Sequence, residues 1–305
     1  MKNNELPKHD LHTGNRRDFI KNTTKLAGGV ILASSPSLLF AQQKQYTVGQ
    51  VMDAFIKEVP NAPFKTTVDT LKAGNRDVTV TGIVTTTFAT VPVIKKAIEL
   101  KANFIIVHEP TFYNHQDETE WLKNDAVYQY KANLLQQNGI AIWRNHDYIH
   151  THQPDGVKLM VVKKLGWENS FDNSSNIATL QATTLQQLIN HAKQKLGIKM
   201  LRYSGDLKQP CIKVLLMPGA AGGKRQIEAI IKEQPDVLIC GEIQEWETAE
   251  YVRDAIAKGQ KLSMVVLGHI ASEQPGAEYM VTWLNKNFPN LKTSFVPTSP
   301  SLQFM

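Results

Sequence analysis

F-I-I-V-H-E, residues 104–109, is an apolar tetrapeptide that stops on two metal-ligand side chains, His108 and Glu109, with Pro110 ending any further pairing. A short apolar run bounded in this way reads as a buried strand. Three more strings repeat the arrangement: N-H-D-Y-I-H at 145–150, I-C-G-E at 239–242 and G-H-I-A-S-E at 268–273. Of the nine His, two fall within the first 41 residues (His9 and His12); four of the other seven, His108, His146, His150 and His269, sit just after an apolar run. Ligands of open α/β sheets bind outside the carboxyl ends of strands, so these side chains can converge on one cleft.

Working outward, strands are expected at Val78–Thr85, Phe104–Val107, Ile140–Arg144, Ile212–Met217, Val237–Cys240 and Leu262–Leu267. Helix-period segments separate them: Val91–Lys101, Ala126–Asn138, Thr184–Leu196, Gln226–Glu233, Thr248–Lys258 and Ala277–Asn287. This alternation predicts an α/β fold of two lobes whose sheets are covered by helices. The polar stretch Glu168–Asn176 reads as a lobe boundary. It gives a first lobe at 42–172, a second at 173–261, and a segment 262–305 that returns ligands to the cleft between them. Cys211 opens one strand and Cys240 closes the next, so parallel strands would hold the sulfurs beyond disulfide reach, and free thiols are expected.

Each string has a chemical reading and a plain one. His108-Glu109 is not H-E-x-x-H, because Phe112 stands at the second His position, which disfavours a zincin protease. Residues 146–155 hold three His and two Asp on a segment too irregular for a helix; solvated turns share this composition, and the density points to ligands without selecting among His146, Asp147, His150, His152 and Asp155. If a helix begins near Ser272, His269 lies at its entry and Glu273 in its first turn, facing one ion. Otherwise Ser272 is an N-cap and Glu273 complements the helix dipole. Glu242 is an acid that can orient a ligand or take a proton, or it opens a solvated helix with Glu245 and Glu247. In M-P-G-A-A-G-G-K (217–224), Gly219, Gly222, Gly223 and Lys224 can hold an anion at a strand-to-helix turn. The Walker spacing is absent, and a tight turn is the plainer role.

N-R-R-D-F-I-K at 15–21, followed by the mildly apolar Leu26–Ala41, is a twin-arginine export pattern with cleavage expected after Ala41. Gly28, Gly29, Ser34, Ser35 and Pro36 interrupt the apolar stretch, so no stable membrane span is expected, and the mature protein is placed in the periplasm or beyond. Removing residues 1–41 takes the chain from 34 basic and 28 acidic residues to 28 and 25, a net charge near +3. No Lys/Arg run remains, so nucleic acid is excluded as a partner. Export of folded protein suits a metal loaded before the periplasmic metal pool is met.

Together the strings resemble the Nif-three-like family of dinuclear-metal proteins, which carries the label type 2 GTP cyclohydrolase I. That family has a strand ending in paired His, a second strand followed by H-x-x-x-D, a T-G-E/D string, and G-H-x-x-x-E near the C-terminus. The counterparts here are F-I-I-V-H-E-P-T-F, H-D-Y-I-H, C-G-E and G-H-I-A-S-E, in order from about Tyr46 to Phe288. The resemblance implies two divalent ions (Zn, Mn or Fe) in a cleft, held by His108, Glu109, His146, His150, His269 and Glu273, with Glu273 bridging. Glu109 then replaces the family's second His, His150 its Asp, and Trp246 a His that relatives often carry. The chemistry implied is hydrolysis of a small substrate, an anionic one if the 218–224 turn holds it, by a metal-activated water, with Glu273, Glu242 and Asp147 as catalytic groups. The alternative is a non-catalytic metal-binding or assembly protein. Relatives form rings, so a homo-oligomer is expected.

Overall fold

The computed structural model describes residues 44–303 and Met305, so the export signal read at 1–41 lies outside the described residues. In chain order the first elements are α1 (Val48–Ile56), β1 (Leu71–Ala73), β2 (Ile83–Thr86), α2 (Val91–Glu99), β3 (Phe104–Val107), α3 (Ala126–Gln137), β4 (Ala141–Arg144), α4 (Asp147–Thr151) and α5 (Gly156–Leu165). They continue with β5 (Phe171–Asp172), β6 (Ile177–Thr184), α6 (Leu185–Leu196), β7 (Arg202–Ser204), β8 (Pro210–Met217) and α7 (Gly223–Glu233). The last are β9 (Val237–Cys240), α8 (Glu250–Ala257), β10 (Ser263–Val266), α9 (His269–Asn287) and β11 (Thr293–Phe295).

These strands form two sheets within a mixed α/β fold, as the alternation predicts. The first is ordered β1-β4-β3-β2-β11, parallel except for the edge strand β1. The second is ordered β5-β6-β8-β9-β10-β7, with a parallel centre and antiparallel flanks. Parallel strands are covered on both faces, which is why they read as continuous apolar runs. Successive residues then serve opposite layers. Val214 and Leu216 of β8 pack with Leu165 of α5 and Leu188 of α6, whereas Leu215 packs with Ile230 of α7 and Val252 of α8. In the first sheet, Phe104, Ile106 and Trp143 meet α1 and α9, while Ile105 and Ile142 meet α2 and α3. Parallel β8 and β9 set Met217 beside Cys240, leaving Cys211 at the far end, and both thiols are buried and free as expected.

Four differences from the sequence reading have physical causes. Of Val78–Thr85, only the end enters the ladder; Thr79 makes an isolated bridge to Thr47. Residues 147–151 are helical, not irregular, because the distant Asp69 carboxylate accepts the amides of His146 (2.8 Å) and Tyr148 (2.7 Å) and caps the short helix α4. Helix α9 begins at His269, not near Ser272; Gly268, at φ +90°, is its N-cap. The polar stretch Glu168–Asn176 contains a hairpin turn, in which Asp172 accepts from Ser174 and Ser175, so β5 belongs to the second sheet. Strand β10 also lies in that sheet, between β9 and β7, so the strand content divides before 171 and after 266.

Trp143 is fully buried and packs edge-on to Phe55, with ring centroids 6.0 Å apart. Trp143→Ala is expected to lower unfolding free energy by about 3–5 kcal/mol, read as a reduced urea midpoint at unchanged slope.

Candidate metal centre

Parallel pairing carries the sequence strings to neighbouring strand ends. His108 and Glu109 follow β3, Asn145 and His146 follow β4, Gly241 and Glu242 follow β9, and Gly268 and His269 follow β10. Helix α9 joins the two sheets: its first turns carry His269 and Glu273, and Met280, Trp283 and Leu284 are buried in the core of the first sheet.

The four imidazoles share one arrangement. Each Nδ1 meets an oxygen: Asn145 O for His108 (3.3 Å), Asp147 Oδ1 for His146 (2.9 Å), Asp155 Oδ2 for His150 (3.1 Å) and Glu242 Oε1 for His269 (2.8 Å). Each Nε2 then faces Glu109 or Glu273. His269 Nε2 lies 2.7 Å from Glu273 Oε2 and 3.0 Å from Glu109 Oε1. His108 Nε2 lies 3.3 Å from Glu273 Oε2, His146 Nε2 3.9 Å from Glu109 Oε1, and His150 Nε2 4.0 Å from Glu273 Oε1. An Nδ1–H held by a carboxylate or carbonyl, with Nε2 turned inward, is how metal-ligating His is oriented. Two ligand sets are close enough for a cation: His108 with His146 and His150, and His108 with Glu109 and Glu273, their ligand atoms all within 4.8 Å. The buried His108 Nε2 has no hydrogen-bond partner, a deficit that a cation displacing its proton would fill. The donor set fits divalent metal.

Electrostatics agree. Burial disfavours charge on His108, but Glu273 and Glu109 outweigh it and push its pKa up to about 9. Burial likewise opposes the charge on His269, yet Glu109, Glu242 and Glu273 push it up to about 12. His146 goes the other way: burial, then the neighbouring His108 and His150, lower it to about 4. Burial works against the Glu109 and Glu273 carboxylates as well, and their imidazole partners hold both below the usual range.

The glycine-rich turn packs tightly against the cluster. A Cβ on Gly219 (φ +68°) would overlap the Glu273 carboxylate, and one on Gly241 would overlap Ser272 Oγ. Ser272 Oγ accepts from Gly219 N (2.9 Å) and donates to His269 O (2.7 Å), tying this turn to the start of α9. Gly222 is the N-cap of α7, and Glu247 crowds Gly223, so a carboxylate already sits at that helix start. Lys224 points to solvent, 3.8 Å from Glu228; Arg225 lines the cavity instead. That cavity, about 560 Å³, is walled by Glu109, His146, His150, His269 and Glu273 on one side and by Lys158, Asn176 and Arg225 among others. Sequence reading missed Asp69, Arg144, Asp155 and Gln226. Gln226 is fully buried and donates from Nε2 to Glu242 O (2.9 Å), fixing the backbone beside His269's partner. Only Asp155, an N-cap preceding a helical run, carried a local signal.

The pattern of the Duf34/NIF3 (NGG1p interacting factor 3) family matches residues 51–301. A Clostridium acetobutylicum protein named GTP cyclohydrolase 1 type 2 homolog is 25% identical over 222 residues, covering 69% of this chain and 78% of that protein. A Vibrio cholerae protein of the same name is 26% identical over 213 residues, covering 67% and 80%. Among solved structures, a Staphylococcus aureus hypothetical protein superposes with a TM-score of 0.69 at 19% identity, covering 86% of this chain and all (100%) of that one. A Bacillus cereus protein related to NIF3 gives 0.69 at 16% identity, covering 86% and 99%.

With pKa values of about 9 and 12, His108 and His269 are protonated at pH 7 in the metal-free protein, so a cation must displace their protons. Calorimetric titration with Zn(II) at pH 7 is therefore expected to show heats that depend on buffer ionisation enthalpy, with affinity rising as the pH is raised from 6 to about 9. Because these folded-state values lie above the unfolded one, the stability both His contribute is full below about pH 6.5 and is lost as pH rises through about 9 and then 12.

Proposed function

The chain belongs to the Duf34/NIF3 family, and on that premise we propose that it is an exported hydrolase with two divalent ions in this cavity. The observation that carries the reading is that the His/Glu cluster lines an open cavity and is not sealed in the core. Catalytic metal sites keep a reachable position, whereas structural ones are closed. The ions would supply Lewis acidity and lower the pKa of a water.

The chain's own residues do the rest. His108, His146, His150 and His269 present Nε2, and Glu109 and Glu273 present carboxylate oxygens to the same space. Asp147, Asp155 and Glu242 hold imidazole protons on Nδ1, which keeps the inward nitrogens free for coordination. Proton uptake is assigned to Asp147 and the exposed Glu242, each already paired with a ligand imidazole. Lys158 and Arg225 also line the cavity and make no ion pair within 4 Å among the described residues, which supports a small anionic substrate, phosphoester or carboxylated amide. Assembly into a homo-oligomer and passage through the twin-arginine pathway complete the proposal.

Elemental mass spectrometry on chain purified without chelator is expected to find close to two divalent ions. His269→Ala/Glu273→Ala should lose most of this metal and, with it, turnover in a phosphoester and amide screen. Wild-type protein that neither retains metal nor binds it on titration would defeat the reading.

A further inference from the structure

Arg144 is fully buried at the end of β4, where no water can carry its charge. Its Nη2 lies 3.5 Å from Glu109 Oε2. Nε donates to the His108 carbonyl (3.4 Å), and Nη1 donates to the His115 carbonyl (2.5 Å) and lies 3.5 Å from Asp117 Oδ2. Lys72 Nζ meets the same Asp117 oxygen at 3.3 Å. Lys72, Asp117, Arg144 and Glu109 thus make a buried chain of alternating charge whose far end enters the His cluster. Glu109 divides its two oxygens accordingly. Oε2 faces the guanidinium, while Oε1 lies 3.0 Å from His269 Nε2 and 3.9 Å from Nε2 of both His108 and His146.

We propose that Arg144 is a positioning residue: by occupying Oε2 of Glu109 it presents Oε1 alone to the cluster as a single-oxygen ligand for a divalent cation. This rests on the metal-centre reading above. A guanidinium suits the task because its planar fork reaches Glu109 and the 115–117 loop together, whereas an ammonium is a point charge that serves one side at a time. Groups that orient ligands in this way are worth about 10–100-fold in metal affinity.

The test is Zn(II) affinity of the full chain, by competition with a chromophoric chelator, for wild type, Arg144→Lys, Glu109→Gln and the double variant, with thermal melting to report folding. Arg144→Lys is expected to bind about 10-fold or more weakly than wild type, and Glu109→Gln at least as weakly. The double variant should match Glu109→Gln alone, since Arg144 acts only through that carboxylate. Losses that add, or an Arg144→Lys affinity equal to wild type, overturn the proposal. Should Arg144→Lys fail to melt cooperatively, Asp117→Asn removes the charge at the far anchor, which Lys72 and the Phe112 amide also contact, and leaves the guanidinium on Glu109. It should weaken Zn(II) binding when Glu109 is present and change nothing alongside Glu109→Gln, and equal effects in both backgrounds overturn the role. A wild type that takes up no Zn(II) overturns the metal centre itself. Wild-type binding that the variants share overturns only the part given to Arg144.

Discussion

Two buried carboxylates, Glu109 and Glu273, surrounded by four imidazoles are the constraint on which the rest of the structure depends. Burying two acids so close together is unfavourable unless cations or donors meet them. The chain meets them with strand ends, a capped short helix and the first turns of α9. Each imidazole is held at Nδ1 by an oxygen from its own neighbourhood, which turns every Nε2 inward. Remove the parallel order of β3 and β4, or of β9 and β10, and the same residues scatter over opposite edges of the sheets.

Close backbone approach is the second requirement. Gly219 and Gly241 allow the turns after β8 and β9 to press against Ser272 and Glu273, where any side chain would collide. The Ser272 hydroxyl then links the Gly219 amide to the His269 carbonyl. The glycines therefore serve space at the carboxylate, and the cationic side of the cavity falls to Lys158 and Arg225. Lys224 and Arg225 are adjacent in sequence but about 100° apart around a helix, and this decides which of them faces the cavity.

An acid at position 109 adds a second negative charge to a largely buried site. The chain Lys72–Asp117–Arg144 spreads the compensation across β1, the loop after β3 and β4. Asp69 has a comparable part on the other side. Its carboxyl is raised to about 6 by burial, against the backbone amides of Tyr148 and His146 that it accepts, and it sets the start of α4 and with it the direction of His150.

Much of this was legible locally. Strands β3 and β9 fall at the residues their apolar runs predict, because a strand covered on both faces must be apolar throughout. The ligand types at their ends, and the two free thiols, follow from the same runs. Helix α4 was not legible, since its cap is Asp69, some eighty residues away. Nor was the exchange of Lys224 for Arg225, the hairpin at 171–177, or the burial of Arg144, whose side-chain partners lie at 108–109 and 115–117. Sequence by itself determined which residues alternate, which strands are buried and which side chains carry ligand chemistry, because these depend on local periodicity. Which oxygen orients His108 and His269, and which cation faces the cavity, only the tertiary structure decided, because those contacts join residues that the chain brings together only on folding.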